Sequence, residues 1–161
     1  MRKFSTFFWT AVLTLCFTAL STQTKAQNVY VGGIHNARAV VWKNGTPTYL
    51  TAGEGEVNSV VVANGHVYAA GIECVSETSV AKVWKDGVEL YLLGSNPVSA
   101  RSIAVSGTDV YVAGHVNFRG KLWKNGVAQS GYTEAILLGS VFVDGDSVYA
   151  TGCTTAHEVA V

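Results

Sequence analysis

Ile103-Ala104-Val105-Ser106-Gly107-Thr108-Asp109-Val110-Tyr111-Val112-Ala113-Gly114 decides how this chain is read. Two β-branched and aromatic runs flank Ser106-Gly107, a pair suited to a hairpin turn, so Ser102 to Val105 and Val110 to Ala113 read as paired antiparallel strands. Both faces of each run are apolar or small. Such strands must be covered by protein on both sides, whereas the strands of a lone sandwich would show polar outer faces throughout.

The stretch is one copy of a repeat. Val110 to Gly114 returns as Val29-Tyr30-Val31-Gly32-Gly33, Val67-Tyr68-Ala69-Ala70-Gly71 and Val148-Tyr149-Ala150-Thr151-Gly152, so that Tyr30, Tyr68, Tyr111 and Tyr149 step by 38, 43 and 38 residues. After the first three copies come Val41-Trp42-Lys43-Asn44-Gly45, Val83-Trp84-Lys85-Asp86-Gly87 and Leu122-Trp123-Lys124-Asn125-Gly126. Before the last three come Ser59-Val60-Val61-Val62, Ser102-Ile103-Ala104-Val105 and Ser140-Val141-Phe142-Val143. Asparagine and aspartate tolerate positive φ and glycine adopts it freely, so Asn64-Gly65, Asp144-Gly145 and the pair after each Trp-Lys read as further hairpin turns. A fourth, less regular strand follows, clearest at Thr48-Tyr49-Leu50 and Glu89-Leu90-Tyr91-Leu92, where apolar and polar residues mix as on an outer strand.

A period of this length marks an array of supersecondary units. Four-stranded antiparallel sheets stacked radially, with inner strands covered on both sides, describe the blades of a β-propeller. The fold class expected is therefore all-β, a β-propeller with about three and a half blades over residues 27–161. Naming the strands A (Ser-Val), B (Val-Tyr), C (Val-Trp) and D (outer), the chain runs B-C-D, A-B-C-D, A-B-C-D, A-B. Trp42 and Trp123 lie nine residues after the repeat glycine, and the same offset from Gly152 reaches Val161. Closed propellers typically have about four to eight blades. The expectation is thus a partial propeller: a piece of a longer chain, or one of several copies that complete a ring.

Residues 1–26 read as a secretory signal. Arg2 and Lys3 open it, Phe7 to Leu20 form an apolar core too short for a membrane span, and Thr24-Lys25-Ala26 ends it with small residues at the cleavage positions. Localisation is expected beyond the cytoplasm: periplasm, cell surface or medium. Of 161 residues only 14% are charged, and 11 basic side chains balance 11 acidic ones. Arg2, Lys3 and Lys25 leave with the signal, so the remainder is slightly acidic and has no electrostatic reason to bind nucleic acid or anionic lipid.

Residues 103–114 resemble the paired inner strands of secreted bacterial YVTN-type propellers. The Trp-Lys-Asn-Gly turns are similar to those of secreted bacterial repeat proteins built from like units. The resemblance spans residues 28–161 and implies a fold rather than a chemistry. The Gly32-Gly33 doublet is similar to kelch, but only the first repeat has it and the period is too short; WD40 fits less well, because Lys follows each tryptophan.

Chemistry-bearing residues are sparse. Trp42, Trp84 and Trp123, at equivalent places, read as packing residues before they read as a sugar-stacking surface. Lys43, Lys85 and Lys124 read as solvated residues before a hairpin. Ser59, Ser102 and Ser140 are expected to hydrogen-bond between blades, since a nucleophilic serine needs an oriented base beside it and no repeat supplies one. The B-to-C loops differ most between repeats, and variable loops on a rigid scaffold are where binding residues gather. His35, Arg38, Glu73, His115 and Arg119 are the candidate ligand-binding residues. His35, Cys74, His115, Cys153 and His157 have no local metal-ligand spacing, so no metal and no cofactor are expected. A Cys74–Cys153 disulfide is formally open to the sequence but disfavoured, since the two stand two repeats apart and a bridge needs Cα atoms within about 7 Å. No catalytic residues are assigned, and the chain is not expected to be an enzyme. The expectation is a binding module for a glycan, peptide or protein partner. The alternatives are a fragment of a larger secreted enzyme or redox subunit, and a self-assembling scaffold that forms homo-oligomers.

Overall fold

The computed structural model describes residues 27–95, 98–130 and 135–154. The expected signal segment and His157 lie outside the described residues. Within them the chain is all-β, with thirteen strands and no helix. Sheet 1 holds β1 (Tyr30–His35), β2 (Arg38–Lys43) and β3 (Thr46–Tyr49). Sheet 2 holds β4 (Gly55–Ala63), β5 (His66–Val75), β6 (Thr78–Lys85) and β7 (Val88–Ser95). Sheet 3 holds β8 (Val98–Ser106), β9 (Asp109–Val116), β10 (Arg119–Lys124) and β11 (Val127–Ala128), and sheet 4 holds β12 (Ala135–Asp144) and β13 (Ser147–Thr154). Every sheet is an antiparallel meander with strands in chain order.

The Asn-Gly and Asp-Gly turns form because their first residue accepts positive φ: Asn44 50°, Asn64 52°, Asp86 51° and Asn125 51°, each followed by a glycine near 80°. At three of these turns the side chain also clamps the sheet. The Oδ1 atoms of Asn44, Asp86 and Asn125 accept the backbone N–H of Val29, Val67 and Val110 at 2.9, 2.9 and 2.8 Å. In sheets 1, 2 and 3 the Val before the repeat tyrosine is thereby tied to the turn after the tryptophan. Asp86 is held below the usual carboxylate range by the Val67 N–H and, next, by His66.

The repeat glycine has a steric cause. In sheets 2, 3 and 4 the first strand carries a bulge, between Val57 and Ser59, Ala100 and Ser102, and Leu138 and Ser140. Each bulge presses a carbonyl against the neighbouring strand. A Cβ at Gly71, Gly114 or Gly152 would overlap the carbonyl oxygen of Glu56, Ser99 or Leu137.

The sheets stack face to face in chain order. Ala39 and Val41 of sheet 1 pack with Val57, Ala69 and Trp84 of sheet 2. The opposite face of sheet 2, with Tyr68, Ala70 and Val83, packs on Ile103, Val112 and Trp123 of sheet 3. Ala113 and Leu122 on the far side of sheet 3 meet Leu138 and Val141 of sheet 4. Hydrogen bonds cross the same seams: Ser59 Oγ accepts the Ile103 N–H at 3.2 Å, and Ser102 Oγ accepts that of Val141 at 3.1 Å. Both serines thus bond between sheets.

The glycine geometry has a testable consequence. Gly114→Ala should destabilise the protein by about 2 kcal/mol or more, because a carbonyl of the bulge must move. Gly65→Ala, in open space at positive φ, should cost only about 1 kcal/mol. Urea unfolding of the two variants checks the order, and equal losses would remove the close approach as the reason for the glycine.

Candidate functional site

The loops expected to carry binding residues are tight two-residue turns. β1 runs through His35 and β2 begins at Arg38, leaving only Asn36 and Ala37 (φ 52° and 62°) between them. Ser76-Glu77 and Asn117-Phe118 connect the corresponding strands of sheets 2 and 3 in the same conformation, φ 49° to 67°. The candidate residues therefore sit on strands, and their side chains are aimed by sheet register.

His35 and Arg38 are direct cross-strand partners, and Tyr49 stands opposite Val40 on the same face of sheet 1. The three side chains form one platform. His35 Nδ1 lies 2.6 Å from the Tyr49 hydroxyl, and the two rings stack with centroids 5.8 Å apart. The Arg38 guanidinium covers the Tyr49 ring at 4.4 Å, while its Nε donates to the Thr51 carbonyl at 2.7 Å. Trp42 completes the platform, its ring edge-on to His35 at 6.1 Å and lying against Gly33. Tyr49 and Thr51 were not among the sequence-derived candidates. The signal for Tyr49 was its place at the end of a short outer strand, opposite the C strand.

The other candidates do not join this group. Glu73 is engaged with Lys82 at 2.6 Å, and Lys82 also reaches Glu89 at 2.7 Å, in a half-buried cluster on the face of sheet 2 that meets sheet 1. Burial would lower the Lys82 pKa, but the hydrogen bonds and charges of Glu73 and Glu89 outweigh it and raise it. His115 is only 9% exposed and stacks on Phe118, with its Nδ1 lacking a hydrogen-bond partner. Burial, and then the charge of Arg101, hold its imidazole below the usual value and so neutral at pH 7. Arg119 is exposed at the start of β10. Among the described residues no hydrogen bond or ring contact links candidates of different sheets. Cys74 and Cys153 are both free thiols. Among the described residues no three His, Cys, Asp or Glu side chains gather as a metal-binding group.

Lys43, Lys85 and Lys124 do more than cap a hairpin. Each ammonium lies over the repeat tyrosine of its own sheet, at 5.7, 5.4 and 5.4 Å from the ring centres of Tyr30, Tyr68 and Tyr111. A cation so placed is attracted by the negative face of the ring. Lys124 adds an ion pair to Asp109 at 2.7 Å.

No protein-family model matches the sequence, and no curated protein matches it. Among solved structures, the chain is similar to the computationally designed Ika8 protein, with 16% identity and a TM-score of 0.39 over 81% of this chain and 54% of that one. It thus spans about half the length of that designed protein.

The tryptophans divide by environment. Trp84 and Trp123 are 2% exposed between sheets, while Trp42 is half-buried on a face that no described sheet covers. Trp84→Ala and Trp123→Ala should each cost about 3–5 kcal/mol in chemical unfolding. Trp42→Ala should cost clearly less. Equal losses at all three would show that Trp42 has a packing partner of its own.

Proposed function

We propose that the chain forms blades of a secreted bacterial β-propeller and serves as a non-catalytic binding module for a glycan or peptide. The observation that carries this reading is the platform of His35, Arg38, Trp42 and Tyr49. Aromatic faces beside a guanidinium offer a stacking surface together with fixed donors, the combination that binds sugar rings and extended peptides. The internal bonds of His35 to Tyr49 and of Arg38 to Thr51 hold the group in one arrangement before a ligand arrives, which lowers the ordering cost of binding. The serial stacking of antiparallel meanders, two of them four-stranded, with β4, β8 and β12 adjoining in turn, supports the radial arrangement.

A second reading, head-to-tail self-assembly, is favoured by a different observation. Inside the molecule the repeat tyrosine of one sheet faces the repeat tryptophan of the next: Tyr30 with Trp84, and Tyr68 with Trp123. Among the described residues Trp42 at one end, and Tyr111 and Tyr149 at the other, have no counterpart in such a contact. Tyr149 and its neighbour Phe142 are 54% and 63% exposed. A second copy joined this way makes a heterologous contact, which closes into a ring if the angle permits.

One set of measurements separates the readings. A glycan array and peptide pull-downs with the full chain should show binding that falls at least about tenfold in a His35→Ala, Arg38→Ala variant, whose sedimentation mass stays that of the parent. Binding untouched by these changes removes the platform from consideration. A parent that sediments as an oligomer, and dissociates on Trp42→Ala or Tyr149→Ala, would place that face in an assembly contact instead.

A further inference from the structure

We infer that the cleft between sheets 1 and 2, at the end away from the His35 platform, is a binding site for a small aromatic carboxylate. The repeat supplies its own comparison. Across β6 and β7, Val83 stands opposite Tyr91; across β2 and β3, the corresponding Val41 stands opposite Thr48. Tyr91 packs into the core between sheets 2 and 3, and its ring rests on the turn glycine of sheet 3, with Cδ1 2.8 Å from the point a Cβ on Gly126 would occupy. Thr48 takes the same place over Gly87, its Cγ2 3.5 Å from the equivalent point. A methyl group there leaves open what a phenol ring fills one interface away.

The space left is a cleft of ≈ 180 Å³, with Tyr30, Val41, Leu50, Ala69 and Trp84 in its lining. An apolar cavity of about 150 Å³ accommodates benzene. One six-membered aromatic ring therefore fits, between walls of the chemistry that favours it.

A second departure from the repeat sets the charge of the ligand. In sheet 3, Asp109 neutralises Lys124 and accepts a hydrogen bond from Asn125 Nδ2 at 2.8 Å. The same place in sheet 1 belongs to Asn28, whose Oδ1 accepts the matching bond from Asn44 Nδ2 at 2.9 Å. The amide preserves the bond and removes the charge. Lys43, which lines the cleft, consequently has no carboxylate within salt-bridge distance among the described residues. The other charged group in the lining, Asp86, is engaged: its Oδ1 accepts the Val67 N–H at 2.9 Å and its Oδ2 lies 2.6 Å from His66 Nδ1. A ligand carboxylate meets an ammonium that rests on the Tyr30 ring and has no carboxylate partner among the described residues, while a ligand amine meets only an occupied carboxylate.

The site is tested by calorimetric titration of the full chain with benzoate, benzyl alcohol and benzylamine, which share the ring and differ in charge. Benzoate should bind about tenfold tighter than the other two, the worth of one charge-assisted hydrogen bond. Lys43→Gln should bring benzoate down to the level of benzyl alcohol and leave benzyl alcohol unchanged. Thr48→Tyr, which copies Tyr91, should abolish binding of all three. Lys43→Gln is a surface change and keeps the answer readable should Thr48→Tyr not fold. No binding of any probe, benzylamine binding tightest, or benzoate binding indifferent to Lys43→Gln each overturns the proposal, as does full binding by a folded Thr48→Tyr protein.

Discussion

The inner strands of sheets 2 and 3 bury small and apolar side chains on both faces, and that constraint governs the rest. A strand such as Val110 to Ala113 sends Val110 and Val112 towards sheet 2, while Tyr111 and Ala113 face sheet 4. A sheet of this kind has no solvent side, so it is stable only between two others. The sheets accordingly stack in series, and sheets 2 and 3 are enclosed. The faces that no described sheet covers, on sheets 1 and 4, still carry large apolar and aromatic side chains, among them Val31, Trp42, Phe142 and Tyr149. Exposed Phe142 and Tyr149 and half-exposed Trp42 follow directly from that.

Stacking also needs the sheets to agree in register at their first strands, and the bulges supply this. At the sheet 2 bulge, Asn58 Nδ2 donates to the Ala100 carbonyl at 3.0 Å, and its neighbour Ser59 accepts the Ile103 N–H. One extra residue per strand thus turns polar groups out of the ladder and onto the backbone of the next sheet. The groups gain partners there, and some backbone groups of the next edge strand are satisfied. The cost falls on the second strand, where only glycine tolerates the displaced carbonyl. Bulge, serine and glycine are one device seen in three places.

Much of this was legible in the sequence because it repeats. The strand identities, the hairpin turns at Asn-Gly and Asp-Gly, the outer position of the fourth strand and the inter-sheet role of Ser59 and Ser102 all follow from residue chemistry recurring at fixed spacing. The site was less legible. The segments that looked like variable loops, such as Ile34 to Arg38, are strand almost to the tip. Their irregular composition concealed a regular backbone, because Ala37, Glu77 and Phe118 occupy positive φ where glycine is the usual signal. Glu73 and His115 were read as free loop groups. One is neutralised by Lys82, a residue three strands of sequence pattern never singled out, and the other is buried against Phe118. Partnerships of this kind depend on which strand faces which, and that is set by packing between sheets.

A left-handed conformation costs an ordinary residue roughly 1–2 kcal/mol relative to its preferred state. The three turns after each Trp-Lys pair avoid this at their second position with Gly45, Gly87 and Gly126. The three turns at the opposite end do not: they keep a methyl, a carboxylate and a phenyl ring in the same conformation. Phe118 stacks on the buried His115 imidazole, a contact that favours the ring at this position. Ala37 lies beside the His35 platform, at the end where strain accumulates in a fold otherwise built from relaxed turns. Local strain persists where surrounding contacts or function hold it in place. The two ends of the sheets are therefore physically unlike, one built for closure of the turn and the other retaining side chains against backbone preference, and the platform of His35, Arg38 and Tyr49 stands at the second.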